Sequence, residues 1–288
     1  MGNILQATAG KTAIFILILF TGTASLGQGQ ALLSQNSSTA VLTVTEEQDS
    51  LSPLDKYDER LQTLVAYLKQ QGYTIGSLLE DERFEIYEKI GDRFRNSAEK
   101  KSLGMEQYKR ILGFEHKKRN ITSFMETHTE QLQKAEETYG ISKYVIAAII
   151  GIESDFGKNF GSYNPFNSYV SMYLVDYRAD FAQAQLKELL DFTTRNKLDV
   201  FELKSSYAGA MSYGQFIPYS INKWFVGSDI FDVNNNILSI ANYLSYFKER
   251  TGSIETAVLR YNPSSLYRDA VLSLAREAEE MHTNTTRR

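Results

Sequence analysis

The chain has 288 residues and a formal net charge of −4, from 31 Lys+Arg against 35 Asp+Glu, a balance that argues against gripping phosphate backbones and so against a nucleic-acid partner. It contains no cysteine, which excludes disulfides, thiolate nucleophiles, iron–sulfur clusters and a lipid-modified N-terminal cysteine. Its three histidines, His116, His128 and His282, lack the HxxxH spacing of a helix-borne zinc site, leaving carboxylates, hydroxyls, amides and cations for any chemistry.

The first segment reads as an export signal. Lys11 precedes the apolar run Ala13–Phe20, and small residues follow through Ala31. Eight apolar residues are too few to span a bilayer, which needs about 20, but suit a signal core over residues 1–31. An uncleaved anchor is the alternative. Residues 32–54 are rich in Ser, Thr and Gln and read as a flexible linker, with alternation only at Ala40–Thr45. Helical periodicity then begins. Leu61, Leu64, Val65 and Leu68 share one face, with Gly72 as a C-cap. Phe84, Tyr87, Ile90 and Phe94 predict a second helix, and residues 122–139 a third that stops at Gly140. With only four prolines, the expected class is mainly α.

The helix after Gly140 is the most informative. Ser142 can N-cap it, and Lys143–Ile152 is apolar nearly all round, so the element should be central and buried. Glu153 follows Ile150, Ile149 and Ile146 by three, four and seven residues and projects from their stripe. A carboxylate there is costly to ionise unless paired or wetted, so its pKa should rise, chiefly by desolvation. A carboxylic acid still protonated near neutral pH is what general-acid cleavage of a glycosidic bond requires. The helix alone leaves open a structural glutamate paired with a distant Lys or Arg.

Two further clusters bear on that choice. Ser205–Pro218 packs small residues, aromatics and Gln215 into a short span. The small residues let the backbone approach a ligand, Tyr213 and Phe216 offer apolar faces to sugar rings, and Gln215 can match a hydroxyl or an N-acetyl group. Arg260-Tyr261-Asn262-Pro263-Ser264 again places an aromatic beside an amide at a helix end.

Together, Gly151-Ile152-Glu153-Ser154 with Gly157, Ala208–Pro218 and Ala257–Ser264 resemble the peptidoglycan lytic transglycosylases of the membrane-bound lytic transglycosylase B family. The resemblance implies a lysozyme-like (goose-type/transglycosylase) catalytic domain, expected over 139–277 after an N-terminal helical region over 55–138; residues 278–288 are expected to form a disordered tail. It also implies that Glu153 acts as both acid and base, cleaving between N-acetylmuramic acid and N-acetylglucosamine and closing a 1,6-anhydro ring without a second carboxylate. Matching residue by residue, it gives substrate-holding roles to Ser206, Tyr213, Gln215, Phe216, Tyr243, Tyr261 and Asn262, to Arg178 for peptide or lactyl carboxylates, and more loosely to Tyr108. The bland alternative for Tyr243 and Tyr108 is helix packing. The expected partner is the glycan strand, with cell-wall synthesis or secretion machinery as further possibilities, and the expected state is a monomer in the periplasm or cell envelope. Relatives often carry a calcium loop. Here Asp232, Asn234 and Asn236 imitate its first ligands, but Ile237 replaces the turn glycine and Tyr243 the closing Glu, so neither metal nor cofactor is expected.

Overall fold

Residues 55–95 and 103–286 are described by a computed structural model; the expected signal, linker and alternating stretch lie outside them. Among the described residues the chain is helical, with isolated β-bridges in place of a sheet. The first group of helices comprises α1 (Asp58–Gln70), α2 (Gly76–Leu79), α3 (Ile90–Arg95), α4 (Met105–Leu112), α5 (Phe114–Thr127) and α6 (Thr129–Tyr139). The second comprises α7 (Lys143–Ser154), α8 (Pro165–Leu174), α9 (Ala179–Asn196), α10 (Pro218–Trp224), α11 (Val233–Thr251), α12 (Ile254–Tyr261) and α13 (Ser265–Thr286).

The apolar helix is the centre of this arrangement. Every residue of α7 from Val145 to Ser154 is buried, and α5, α6, α11 and α13 pack around it. A helix apolar on all sides can satisfy its surface only where other helices enclose it. Ser142 accepts the Tyr144 amide at its start, and Gly140 ends α6 in the left-handed region, as the sequence predicts. One hydrophobic core joins residues from α1 through α13, so the two regions read on either side of residue 139 are not separate bodies.

Three elements differ from their sequence patterns. Residues 84–89 are not helical, and only Ile90–Arg95 forms α3. Tertiary partners take over this stretch: the Tyr87 amide donates to Ser171 Oγ, the Tyr87 hydroxyl accepts from the Asn164 amide, and Phe84 meets Phe166 edge-on. The helix expected through residues 122–139 breaks at His128, where Thr127 and Thr129 hydroxyls bond back to carbonyls of the preceding turn. Such back-bonding competes with a straight helix. The expected tail beyond residue 277 instead continues α13 to Thr286, because Ala278 still packs into the core at 3% exposure.

Candidate active site

Glu153 stands in the last turn of α7 and is 7% exposed. Its Oε1 accepts a hydrogen bond of 2.7 Å from the hydroxyl of Tyr267, a fully buried residue in the first turn of α13. Burial, then the nearby charge of Glu153, raises the Tyr267 phenol well above its ordinary pKa, so Tyr267 stays a neutral donor. Tyr267 is 114 residues from Glu153, and no local pattern marks it in the sequence. A buried tyrosine in a helix was the only available signal.

The Ser205–Pro218 segment folds as a set of tight bridges beside this pair. Ser205 and Tyr163 exchange backbone hydrogen bonds, as do Met211 and Phe216. Ser206 closes its own turn: its Oγ accepts from the Ala210 amide, its amide donates to the Ala210 carbonyl, and it is fully buried. The Tyr169 hydroxyl donates to the Gly209 carbonyl at 3.0 Å. Gly157 and Gly209, both at positive φ, let Tyr213 and Tyr169 lie directly on the backbone, where any Cβ would collide with the rings. Tyr213, half-buried, lies on Gly157 and forms a partly exposed aromatic group with Phe160 and Phe231.

Tyr261 joins the second and third clusters, its hydroxyl donating to the Gly214 carbonyl. It lies close enough to Glu153 for that charge to raise its own pKa, after burial. Gln215 is held at φ 49 with its Nε2 donating to the Ser212 carbonyl, while its Oε1 has no hydrogen-bond partner. Asn262 Oδ1 accepts from the Ser264 amide, and its Nδ2 is likewise unpartnered. These amides are only 4% and 2% exposed. Buried polar atoms without partners are rare in native proteins, and an acceptor and a donor of this kind fit a ligand carrying both hydroxyl and amide groups.

The remaining sequence-predicted residues are placed differently. Tyr243 lies in a packed aromatic layer among Trp224, Phe247 and Tyr261, 1% exposed, with its hydroxyl on the Arg260 carbonyl. Phe216 packs behind Tyr261 and is also buried. Tyr108, from α4, is fully buried behind Tyr267, whose pKa it helps to raise. Arg178 lies near Tyr169, whose hydroxyl holds the Gly209 carbonyl. It stacks 4.1 Å over Phe181, influences Tyr169, and keeps an unpartnered Nη1.

The calcium-like residues serve the fold directly. Asp232 accepts the Asn235 amide and N-caps α11. Asn236 accepts from Ser212 Oγ and the Gly214 amide and donates to the Ile230 and Asp232 carbonyls, pinning the Gln215 loop to α11. A separate cavity of about 160 Å³, lined by Thr122, Met125, Leu132, Lys143 and His282, opens near the first turn of α7, roughly 15 Å along the helix from Glu153.

Residues 56–253 match the family model described as the transglycosylase SLT domain. The chain belongs to this family. Over 133 residues it is 28% identical to the membrane-bound lytic murein transglycosylase B of Escherichia coli K12, a match covering 45% of this chain and 37% of that protein. The chain thus spans well under half the length of this relative. The crystal structure of the soluble lytic transglycosylase SltB1 from Pseudomonas aeruginosa has the same fold, with a TM-score of 0.71 at 22% identity over 78% of this chain and 99% of that one. That of the E. coli lytic transglycosylase Slt35 in complex with bulgecin A also gives 0.71, at 18% identity over 83% and 100% of the two chains. SltB3 from P. aeruginosa in complex with NAG-NAM-pentapeptide gives 0.65 at 19% identity over 77% and 78%. In this SLT-domain chain the family match ends before Tyr261, Asn262 and Tyr267, so that part of the site stands on its geometry.

Proposed function

We propose that this SLT-domain protein is an exported lytic transglycosylase that cleaves the MurNAc-β-1,4-GlcNAc bond of peptidoglycan, with Glu153 as its single catalytic acid and base. The observation that carries the reading is Glu153 itself, a 7% exposed carboxyl at the end of a buried, predominantly apolar helix, hydrogen-bonded by Tyr267. The buried, unpartnered Gln215 Oε1 and Asn262 Nδ2 supply polar groups suited to a sugar bearing an N-acetyl substituent. Tyr213 and Phe160 supply an aromatic rim for its ring faces.

Chemically, Glu153 gives its proton to the oxygen bridging the two sugars as the C1–O bond of the muramoyl unit breaks. The cationic centre left at C1 is supported by the substrate's own 2-acetamido group. Glu153, now a carboxylate, takes the proton of the muramoyl C6 hydroxyl as O6 bonds to C1. The proton count returns to its start and no water is consumed. Arg178, with its unpartnered nitrogen, is proposed to meet a carboxylate of the lactyl or peptide moiety. In this reading the apolar run at Ala13–Phe20 carries the chain to the envelope, and the glycan strand is its partner.

Glu153→Gln tests the assignment because it keeps the shape and removes the acid. Lysis of purified sacculi should fall by at least about a thousandfold, and unchanged lysis would remove Glu153 from catalysis. Mass spectra of the released muropeptides test the product. Ends lighter by one water than reducing muramic acid are expected, whereas reducing ends alone would make the protein a muramidase.

A further inference from the structure

Most of what surrounds Glu153 favours keeping its proton. It lies at the negative end of the α7 dipole, against buried isoleucines and the neutral phenol of Tyr261, with the Tyr267 hydroxyl as a donor that favours the charged form. Two residues on, Asp155 ends the helix in the left-handed region with φ 52 and adds a further negative charge. A group so placed holds its proton well and releases it poorly, and the proposed cycle needs both steps from one carboxyl.

Lys117 supplies the opposing charge. This α5 residue is 7% exposed, with its Nζ 3.4 Å from Asp155 Oδ1. That separation exceeds the 2.7–2.9 Å typical of a charge-assisted hydrogen bond, so Asp155 restrains the ammonium without absorbing its whole field. The other Asp155 oxygen faces His116 Nε2 at 3.5 Å. Asp155 caps α7 two residues beyond Glu153, so its pair with Lys117 holds the ammonium beside the helix end that carries Glu153; burial lowers the Lys117 pKa, and Asp155 and then Glu153 oppose that shift. The charged and titratable groups around the pair are His116 and Lys117 from α5, Asp155 and Lys158 after α7, Tyr108 from α4, Tyr261 from α12 and Tyr267 from α13.

We propose that Lys117, tethered by Asp155, is the counter-charge that stabilises Glu153 as a carboxylate between its two proton transfers. This rests on the reading of Glu153 as acid and base. Lys117 touches neither sugar nor reacting atom in this role. It is a positioning residue that acts through Glu153's acidity.

The test reads that acidity without turnover, by NMR titration of the Glu153 carboxyl in the full chain, assigned by difference from Glu153→Gln. Lys117→Met should raise the Glu153 pKa by on the order of one pH unit, and Asp155→Asn, which removes a negative charge, should lower it. Lys117→Arg should leave it near the parent value. The limb of the lysis profile governed by Glu153 should move with each shift. An unmoved or lowered Glu153 titration in Lys117→Met would overturn the proposal. If Lys117→Met fails to fold, Lys117→Gln, which removes the charge but keeps a polar group for Asp155, carries the test with the same expected rise. An inactive parent protein would count against the catalytic reading alone, because the titration does not depend on turnover.

Discussion

The Tyr267 hydroxyl donates to a carboxyl that must alternate between charged and neutral forms. A donor to a carboxylate favours the charged form, so removing it should raise the pKa of Glu153 and slow the step in which the proton leaves. Tyr267→Phe keeps the buried ring and deletes only that bond. We expect kcat for sacculus lysis to fall about tenfold, the scale of one hydrogen bond to a charged group, with KM little changed and the pH profile displaced upward. Initial rates across pH would check this, and an unmoved profile would reduce Tyr267 to packing. At this scale the sequence exposes Glu153, because a carboxylate on an isoleucine stripe contradicts its surroundings. Tyr267 and Lys117 are silent there: each joins the site from another helix, and neither spacing nor local composition records that meeting.

Among the elements, α7 and its N-cap follow from local rules, since Gly140 ends α6, Ser142 caps α7 and the apolar run fills one helix. The loops around the site depend on close backbone approach instead. Gly161 sits at φ +90, where an added Cβ would strike the Ser205 carbonyl and so break the Tyr163–Ser205 bridge. Gly161→Ala should therefore destabilise the protein by about 2–4 kcal/mol, measured by denaturant unfolding. Gly252→Ala is the matched comparison, also at positive φ but with nothing within 4 Å, and should cost only about 1 kcal/mol. Equal losses would show that φ strain, and not the collision, sets the cost. The stretch at 84–89 shows the limit of periodicity: its aromatic spacing is helical, yet Ser171 and Asn164 claim its polar groups.

Across the whole molecule, Arg83 ties the N-terminal segment to the far side of the fold. Its guanidinium engages Asp81 at 2.7 Å and Asp199 at 2.8 Å and lies over Phe201, while its carbonyl accepts from Asn167 in α8. Hydrogen bonds from the Arg83 side chain, then from its backbone amide, lower Asp81 from 3.8 to about 2. The Phe201 amide, followed by Arg83, lowers Asp199 as well. Both folded-state values lie below those of the unfolded chain, so this stabilisation is complete above the ordinary carboxyl value and is lost as pH falls through about 2. Because the groups are exposed, salt should weaken the effect. Thermal melts between pH 4 and 2 should therefore drop less steeply in Arg83→Ala than in the parent, and less steeply at high salt; parallel curves would remove Arg83 from the acid response.

The sequence by itself determined the helical class, the central apolar helix with its N-cap, and the carboxyl that this helix carries, because periodicity, capping and a misplaced charge are all written within a few adjacent residues. Only the tertiary structure decided that α5, α6 and α13 share one core with α7, that Tyr267 and Lys117 converge near Glu153, and that Tyr108 and Tyr243 are packed in the interior. Those outcomes depend on contacts between residues far apart in the chain, whose energies belong to the pair and leave no mark on either residue's own neighbours.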